Sequence, residues 1–508
     1  MASQLLYLIL ALPVIITLLM FLHRYKHKQT SSSHLPPGPP GLPLIGNLFD
    51  IDSSAPHRSL WRLSQVYGTL MSLKLGRTRV LVVSSARMAE EVMKTQDLVF
   101  CSRPSLTGPN HLSYDRLDVA FAPYDAYWRE IRKICVVHLF NSNRVQSFCP
   151  IREGEVNQMI ERISKYISYD SKPFNLSESM LSMTSTIICR TAFGKSLEGN
   201  YGADMRSKLE LMLRESGAMF TGFFFSDHFP SLGFLDRFTG MMVRLKNNRK
   251  ELDAFYQDII DEHLDPKRAM SAHKDVLDVL LGIMKEGPFK VQLTVDHIKG
   301  ILMNIFIAGT DTSAATVVWA MAYLMKNPTT LRKAQEEVRQ VIEKKGFVKE
   351  EDIEQLPYLK AVVKETMRLQ PAAPLLLPRE SSQDCDLNGY KIPTKTTVYV
   401  NAWAIGRDPE AWGENPEKFK PERFMQKSID MKGTDFGLIP FGAGRRMCPG
   451  IHMGLVTVEL SLANLLYGFD WEMPVGMKSG DLDMEVSPGL TMHKKNALWL
   501  VPKKCVCI

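Results

Sequence analysis

Residues 440–450 read PFGAGRRMCPG, one cysteine among three glycines, two arginines and two prolines. What Cys448 binds decides the fold. Two readings fail on the residues themselves. Gly442, Gly444 and Met447 half-spell the dinucleotide fingerprint G-x-G-x-x-G, but Met447 stands where the third glycine belongs, and no apolar β-branched strand leads into the segment. Cys448 with His452 would be half of a tetrahedral zinc set, yet no C-x-x-C lies anywhere in the chain. What a lone cysteine in such a loop binds has to be read from the rest of the sequence.

The chain has 508 residues, 45% of them hydrophobic and 23% charged, enough for a large buried core. A net charge of +7 without any dense Lys/Arg stripe excludes a nucleic-acid binder and suits an acidic partner or an anionic membrane. Eight cysteines lie scattered with no disulfide-framework spacing, which places the body in a reducing compartment. Leu5–Leu22 is an uncharged run of 18 residues, followed at once by HRYKHK (23–28). Such a run spans a bilayer as a single helix, and the basic flank holds the body on the cytosolic side. A cleaved signal peptide would need a basic n-region and an A-x-A site, both missing. The prolines of SSSHLPPGPPGLPLIGNL (31–48) forbid a helix and stiffen the chain. The expected organisation is a membrane anchor and basic flank (1–28), a stiff linker (29–48) and one large body (49–508).

The body reads as mostly helical. LMSLKLGRTRVLVVSS (70–85) and GYKIPTKTTVYVNAW (389–403) alternate as strands do. The longest helical run goes from Thr294, a capping residue, to Asn327 before Pro328. It would be roughly 50 Å long and is apolar nearly all round, as a buried central helix is. AGTDT (308–312) interrupts it with poor helix formers, which makes either a packing kink or a small polar notch. A second helix, LPYLKAVVKETMRLQ (356–370), puts Glu365 and Arg368 on one face at i, i+3. FKPERF (419–424) offers a further cation, Arg423, although spacing alone does not bring the three together.

PFGAGRRMCPG resembles the haem-binding loop of the cytochrome P-450 monooxygenases, F-x-x-G-x-R-x-C-x-G, with every specified position filled. WREIR (128–132), AGTDT, ETMR (365–368) and PERF (421–424) are similar to that family's other motifs and fall in its order. PPGPPGLPLIGNL, LLLPRES and AWAIGRDPE resemble its large microsomal plant group of specialised metabolism. The resemblance covers essentially the whole chain. It implies a mainly α fold with small β-sheets, a single large haem domain behind an N-terminal transmembrane helix.

The resemblance also implies roles. Cys448 would be the axial thiolate of a haem b iron, a ligand that favours O–O cleavage. Gly442, Gly444 and Gly450 would let backbone N–H groups approach the sulfur, and Phe441 would shield it from water. Trp128, Arg132, Arg379 and Arg446 would clamp the haem propionates, with Arg445 facing solvent. Glu365, Arg368 and Arg423 would form a buried structural triad. Asp311 would relay protons to Thr312, while Ala308 and Gly309 leave room for O2. The implied reaction inserts one atom of O2 into a hydrophobic plant metabolite. Its electrons come from NADPH through a separate NADPH–cytochrome reductase, because the chain has no flavin or nicotinamide fingerprint. The expected place is the endoplasmic reticulum membrane, single-pass, with the catalytic domain in the cytosol. An O2-independent isomerase or dehydratase of a peroxide or oxime is the alternative. Such enzymes often lose the acid–alcohol pair, which is intact here. By position, Phe121, Met303, Ala308, Ala372, Leu376 and Leu490 wall the substrate pocket. MFTGFFFSDHF (219–229) either roofs that pocket or dips into the membrane. The terminal CVCI imitates a prenylation box but adds little to an anchored chain.

Overall fold

The computed structural model describes residues 34–169, 172–195, 202–268, 274–287, 289–343, 345–426 and 428–505. The expected anchor with its basic flank, and the last three residues of CVCI, lie outside them.

Five helices position the site: α1 (Ala126–Ile134), α2 (Leu176–Phe193), α3 (Val295–Lys326), α4 (Pro357–Leu369) and α5 (Ile451–Gly468). The helix α3 starts at its N-cap Thr294, whose N–H donates to His297 Nδ1 at 3.0 Å, and stops at Asn327 before Pro328. A proline cannot continue the hydrogen-bond ladder, so the break falls where the chain chemistry puts it. Both α3 and α5 are long and apolar enough to cross a membrane, yet most of each is buried inside the domain. Between them and α4 lies the main core, where Met183, Trp319, Val362 and Leu462 are fully buried. Each such aliphatic side chain removed from water contributes about 1.5–3 kcal/mol.

A second apolar cluster joins the loop before Trp128 to α2, α3 and the Phe-rich stretch through Phe121, Ile188, Phe220, Phe224, Met303 and Phe306. The main sheet has four strands, β1 (Leu70–Leu75), β2 (Thr78–Val83), β3 (Arg379–Glu380) and β4 (Thr397–Val400), in the order β1-β2-β4-β3. The β1–β2 hairpin pairs Leu75 with Thr78, β4 runs parallel to β2 with Thr397 opposite Val80, and β3 is antiparallel to β4. Two smaller sheets complete the mainly helical architecture.

The Pro-rich stretch, expected as a stiff linker, lies against the main sheet over its described part. Ser72 of β1 donates its N–H to Pro37 O at 2.9 Å and its hydroxyl to Pro36 O at 2.7 Å. Asn47 Oδ1 accepts from Lys74 N at 2.9 Å. Prolines lack a donor but keep their carbonyls, so a stiff extended segment can still lie along a sheet edge.

Candidate active site

The cysteine loop is folded by two left-handed glycines and one backbone bond. Gly442 and Gly444 have φ of +71° and +67°, a region that penalises a Cβ. A Cβ on Gly444 would also stand 2.1 Å from Met93 O. The Cys448 N–H donates to Phe441 O at 2.9 Å and closes the loop. Gly450 differs from these two in its backbone. Its φ is −92°, and the nearest atom a Cβ would meet is Cys448 Sγ at 4.0 Å. Only Gly442 and Gly444 need to be glycine for the turn; Gly450 gives its N–H to the sulfur. Burial raises the Cys448 thiol, while that N–H and the Arg132 guanidinium pull it down.

Across a cleft from this loop stands α3. The cleft is walled by Thr312, Thr316, Met367, Ala372, Phe441 and Val458, so α3, α4, α5 and the cysteine loop all reach it. Thr312 Oγ1 donates to Ala308 O at 2.6 Å. Its one hydrogen is thus engaged within the helix, and its oxygen meets the cleft as an acceptor. Ala308, one turn earlier, is exposed.

A Cβ on Gly309 would sit 2.6 Å from Ile188 Cδ1 of α2, so this glycine also faces the α2 side chain. Asp311 Oδ2 lies 3.4 Å from His493 Nε2.

The expected haem clamps divide. Among the described residues, Arg132 on α1 has no hydrogen-bond or ion-pair partner, and burial lowers its pKa. Trp128 spends its one donor on Val119 O at 2.9 Å and lies under Arg446, whose guanidinium carbon is 4.0 Å from the ring centroid. Arg446 donates to Cys101 O and Ala122 O, both at 2.7 Å. Arg379 donates to Asp97 Oδ1 at 2.9 Å and to Ala443 O at 2.8 Å. Arg445, expected to face solvent, is half-exposed yet paired to Asp97 Oδ2 at 3.0 Å. The buried Asp97 thus ties Arg379 of β3 to Arg445 of the cysteine loop, and nothing in its sequence surroundings signals that.

Glu365 and Arg368 are fully buried and meet at 2.6 Å. Arg423 Nε lies 3.6 Å from Glu365 Oε1 and donates to Trp412 O and Asn415 O. Of the expected pocket residues, Phe121, Met303 and Leu490 belong to the second apolar cluster, with Phe121 stacked on Phe220 at 5.1 Å and 14°. Ala372 lines the cleft. Leu376, with φ of +52°, packs in the cluster of Met93 and Ala443 beside the cysteine loop, while Leu377 joins the Phe121 cluster. Of the Phe-rich stretch, Phe220 and Phe224 are buried in this cluster and Phe223 is exposed.

The loop before Trp128 is pinned by a residue not singled out from sequence. Asn304 of α3 accepts from Val119 N and Ala120 N at 3.1 and 3.2 Å and donates to Asp118 Oδ2 at 2.8 Å. Asp118 Oδ1 in turn accepts from Phe121 N and Ala122 N, and burial raises its carboxyl to about 6. An asparagine in the apolar run ILMNIFIAG was the legible signal. Elsewhere His263, Asp275 and Asp278 converge as a metal set might, but Arg268 already bridges both carboxylates at 3.1 and 2.6 Å.

A buried thiol on a glycine-turned loop, a cleft between it and a helix carrying an acid–alcohol pair, and an unclaimed arginine near the sulfur fit a haem with its propionates. They define a haem-thiolate oxygenase site. The family model for Cytochrome P450 matches residues 36–501, and the chain belongs to that family. It is 49% identical to the 5-OH-xanthotoxin synthase of Pastinaca sativa over 99% of both chains. It is also 49% identical to the 6,7,8-trihydroxycoumarin synthase of the same plant over 98% of both. A zebra fish cytochrome P450 solved with abiraterone superposes with a TM-score of 0.74 at 25% identity, covering 89% of this chain and 99% of that one. The chain is a reductase-dependent monooxygenase that uses haem b and O2 to oxidise a hydrophobic plant metabolite.

Proposed function

We propose that this monooxygenase hydroxylates a flat, fused-ring aromatic metabolite of the coumarin kind at the membrane of the endoplasmic reticulum, with electrons from NADPH–cytochrome reductase. Haem b, when bound, supplies the iron at which O2 is reduced and split. Cys448 holds it from the loop side, with the Gly450 N–H and the Arg132 charge supporting the thiolate. Arg132 and Arg446 take the propionates, Arg132 with all of its donors free among the described residues. The hydroxyl oxygen of Thr312, its hydrogen held by Ala308 O, accepts from a cleft water and orients it. Asp311 brings protons to that water from outside the helix.

The observation that carries the reading is that Thr312 of α3 and Pro440 and Phe441 of the cysteine loop line one cleft. Two features support a flat aromatic substrate: the nearly parallel Phe121–Phe220 stack beside the pocket loop, and 49% identity to enzymes named for xanthotoxin and trihydroxycoumarin. The net charge of +7 and the exposed Arg129 and Lys133 of α1 suit an acidic docking face on the reductase. The uncharged Leu5–Leu22 run supplies the single membrane span.

The test uses the full-length chain in lipid with reductase, NADPH and isotopically labelled O2, offered a panel of coumarins beside saturated terpenoids of matching size. Incorporation of one labelled oxygen into a coumarin ring is expected. Turnover confined to the saturated compounds overturns the substrate class. Product formed without reductase and NADPH overturns the monooxygenase reading.

A further inference from the structure

Asp311 is poorly placed to act alone. It sits on a helix buried on most sides, and only 17% of its side chain is exposed. Among the described residues its one partner is His493, Nε2 to Oδ2 at 3.4 Å, and the His493 side chain is 37% exposed. An imidazole that touches the carboxylate on one edge and solvent on the other is the outward neighbour of the acid.

The contact is built, not incidental to a loose loop. Met492 N–H donates to Ala372 O at 2.8 Å, and Trp319 Nε1, on α3 itself, donates to Met492 O at 2.7 Å. The His493 carbonyl accepts from Ser487 N at 2.9 Å, and Val486 pairs with Lys494 across the hairpin. The backbone is thus held on both sides of His493 by α3, by the segment after α4 and by its own hairpin. Neighbouring charges do not compete for Asp311. Lys494 is paired to Asp483 at 3.2 Å and Lys495 to Glu485 at 2.6 Å, and Pro371–Leu377 carries no charge.

We propose that His493 is the positioning residue of Asp311: it holds the carboxylate at the solvent end of the path that leads to Thr312. The inference rests on the reading of Asp311 as the proton-carrying acid. Without the imidazole, the carboxylate is free to swing into solvent, and delivery into the cleft slows while O2 reduction goes on. The same hairpin lends Leu490 to the substrate-side cluster, so substrate and the acid's partner share one rigid support.

The experiment measures product formed per NADPH consumed for wild type, His493→Ala, His493→Gln, Asp311→Asn and the double variant His493→Ala/Asp311→Asn. His493→Ala is expected to keep haem content and the substrate-induced spectral shift while losing about 3- to 10-fold in product per NADPH, short of the roughly 10²-fold for removing an acid outright. His493→Gln keeps an N–H donor at the same reach and is expected to recover most of that loss. In the Asp311→Asn background, His493→Ala is expected to add nothing. Independently of turnover, the His493 ring resonance in 13C-histidine-labelled protein, identified by its disappearance in His493→Gln, is expected to move on Asp311→Asn. Unchanged product per NADPH in His493→Ala, an equal further loss in the Asp311→Asn background, or an unmoved ring resonance overturns the proposal. If Asp311→Asn itself leaves product per NADPH unchanged, the role of Asp311 fails first; if only Asp311→Asn uncouples, that role stands and the one assigned to His493 falls.

Discussion

Arg368→Ala should cost the protein far more than Arg423→Ala, although both arginines address the same carboxylate. Arg368 is fully buried. It gives Nε and Nη2 to the two oxygens of Glu365 at 2.6 and 2.7 Å, and Nη1 to Gly406 O and, at 2.6 Å, to Pro416 O. Removing it strands a buried Glu365, whose remaining partner at hydrogen-bond distance is the Lys420 N–H at 2.7 Å. Breaking a buried pair in this way costs roughly 3–5 kcal/mol. Arg423 is 3.6 Å from Glu365, beyond a hydrogen bond, and its loss forfeits chiefly two carbonyl contacts, about 1–2 kcal/mol. Against a total stability of about 5–15 kcal/mol, the first loss removes a large share of the folded protein and the second does not. The assay is the haem-loaded fraction per purified protein, together with the urea midpoint of each variant. Equal midpoints for the two variants, or an Arg368→Ala midpoint within 1 kcal/mol of wild type by the linear extrapolation, would refute the assignment of the energetic centre to Arg368.

The remaining expectations are more local. Gly444→Ala should abolish haem loading, since its Cβ would lie 2.1 Å from Met93 O at a φ of +67°, whereas Gly450→Ala should load normally; pyridine haemochrome content distinguishes them, and equal content in both would contradict the loop geometry. Thr312→Ala should retain haem and substrate binding but form about 10²-fold less product per NADPH, the low end for a lost proton-relay group; an unchanged ratio would leave Thr312 a packing residue. Glu459 is raised by burial to about 7 from 4.5, with Lys360 and Lys364 opposing the rise. The folded chain keeps this proton at pH values where the unfolded chain has released it. Stability therefore falls as pH climbs from 4.5 to 7, by at most about 3 kcal/mol. Glu459→Gln should flatten that slope, and an identical slope in both proteins would show that Glu459 is not its source.

How far the sequence could be read follows from where each signal resides. The central helix was legible to the residue because Thr294, Asn327 and Pro328 act locally on the backbone. The cysteine loop was legible because its glycines, arginines and cysteine are contiguous. The contact of Gly309 with Ile188 was not legible for the opposite reason. In a helix apolar on all sides, no periodicity tells which face meets Ile188 and which meets the cleft. That Leu376 joins the Met93 cluster and Leu377 the Phe121 cluster could not be read, because a positive φ at Leu376 turns the chain where neither strand nor helix periodicity applies. The partners Asp97, Asn304 and His493 reach their sites from distant segments, and only the folded packing brings them there. The composition of the Pro-rich stretch could not reveal that its carbonyls pair with Ser72.

The central claim is that Cys448, and no other cysteine, is the thiolate behind the chemistry. Among the described cysteines Cys101, Cys135, Cys189 and Cys505 are buried while Cys448 is half-buried, and burial raises the thiols of Cys135 and Cys189. The direct measurement is the carbon monoxide difference spectrum of the reduced full-length protein, wild type beside Cys448→Ser and Cys135→Ser. Wild type and Cys135→Ser should show the red-shifted Soret band of a thiolate-ligated haem, and Cys448→Ser should lose it while its fold survives. A Cys448→Ser protein that kept both this band and its turnover would contradict the account.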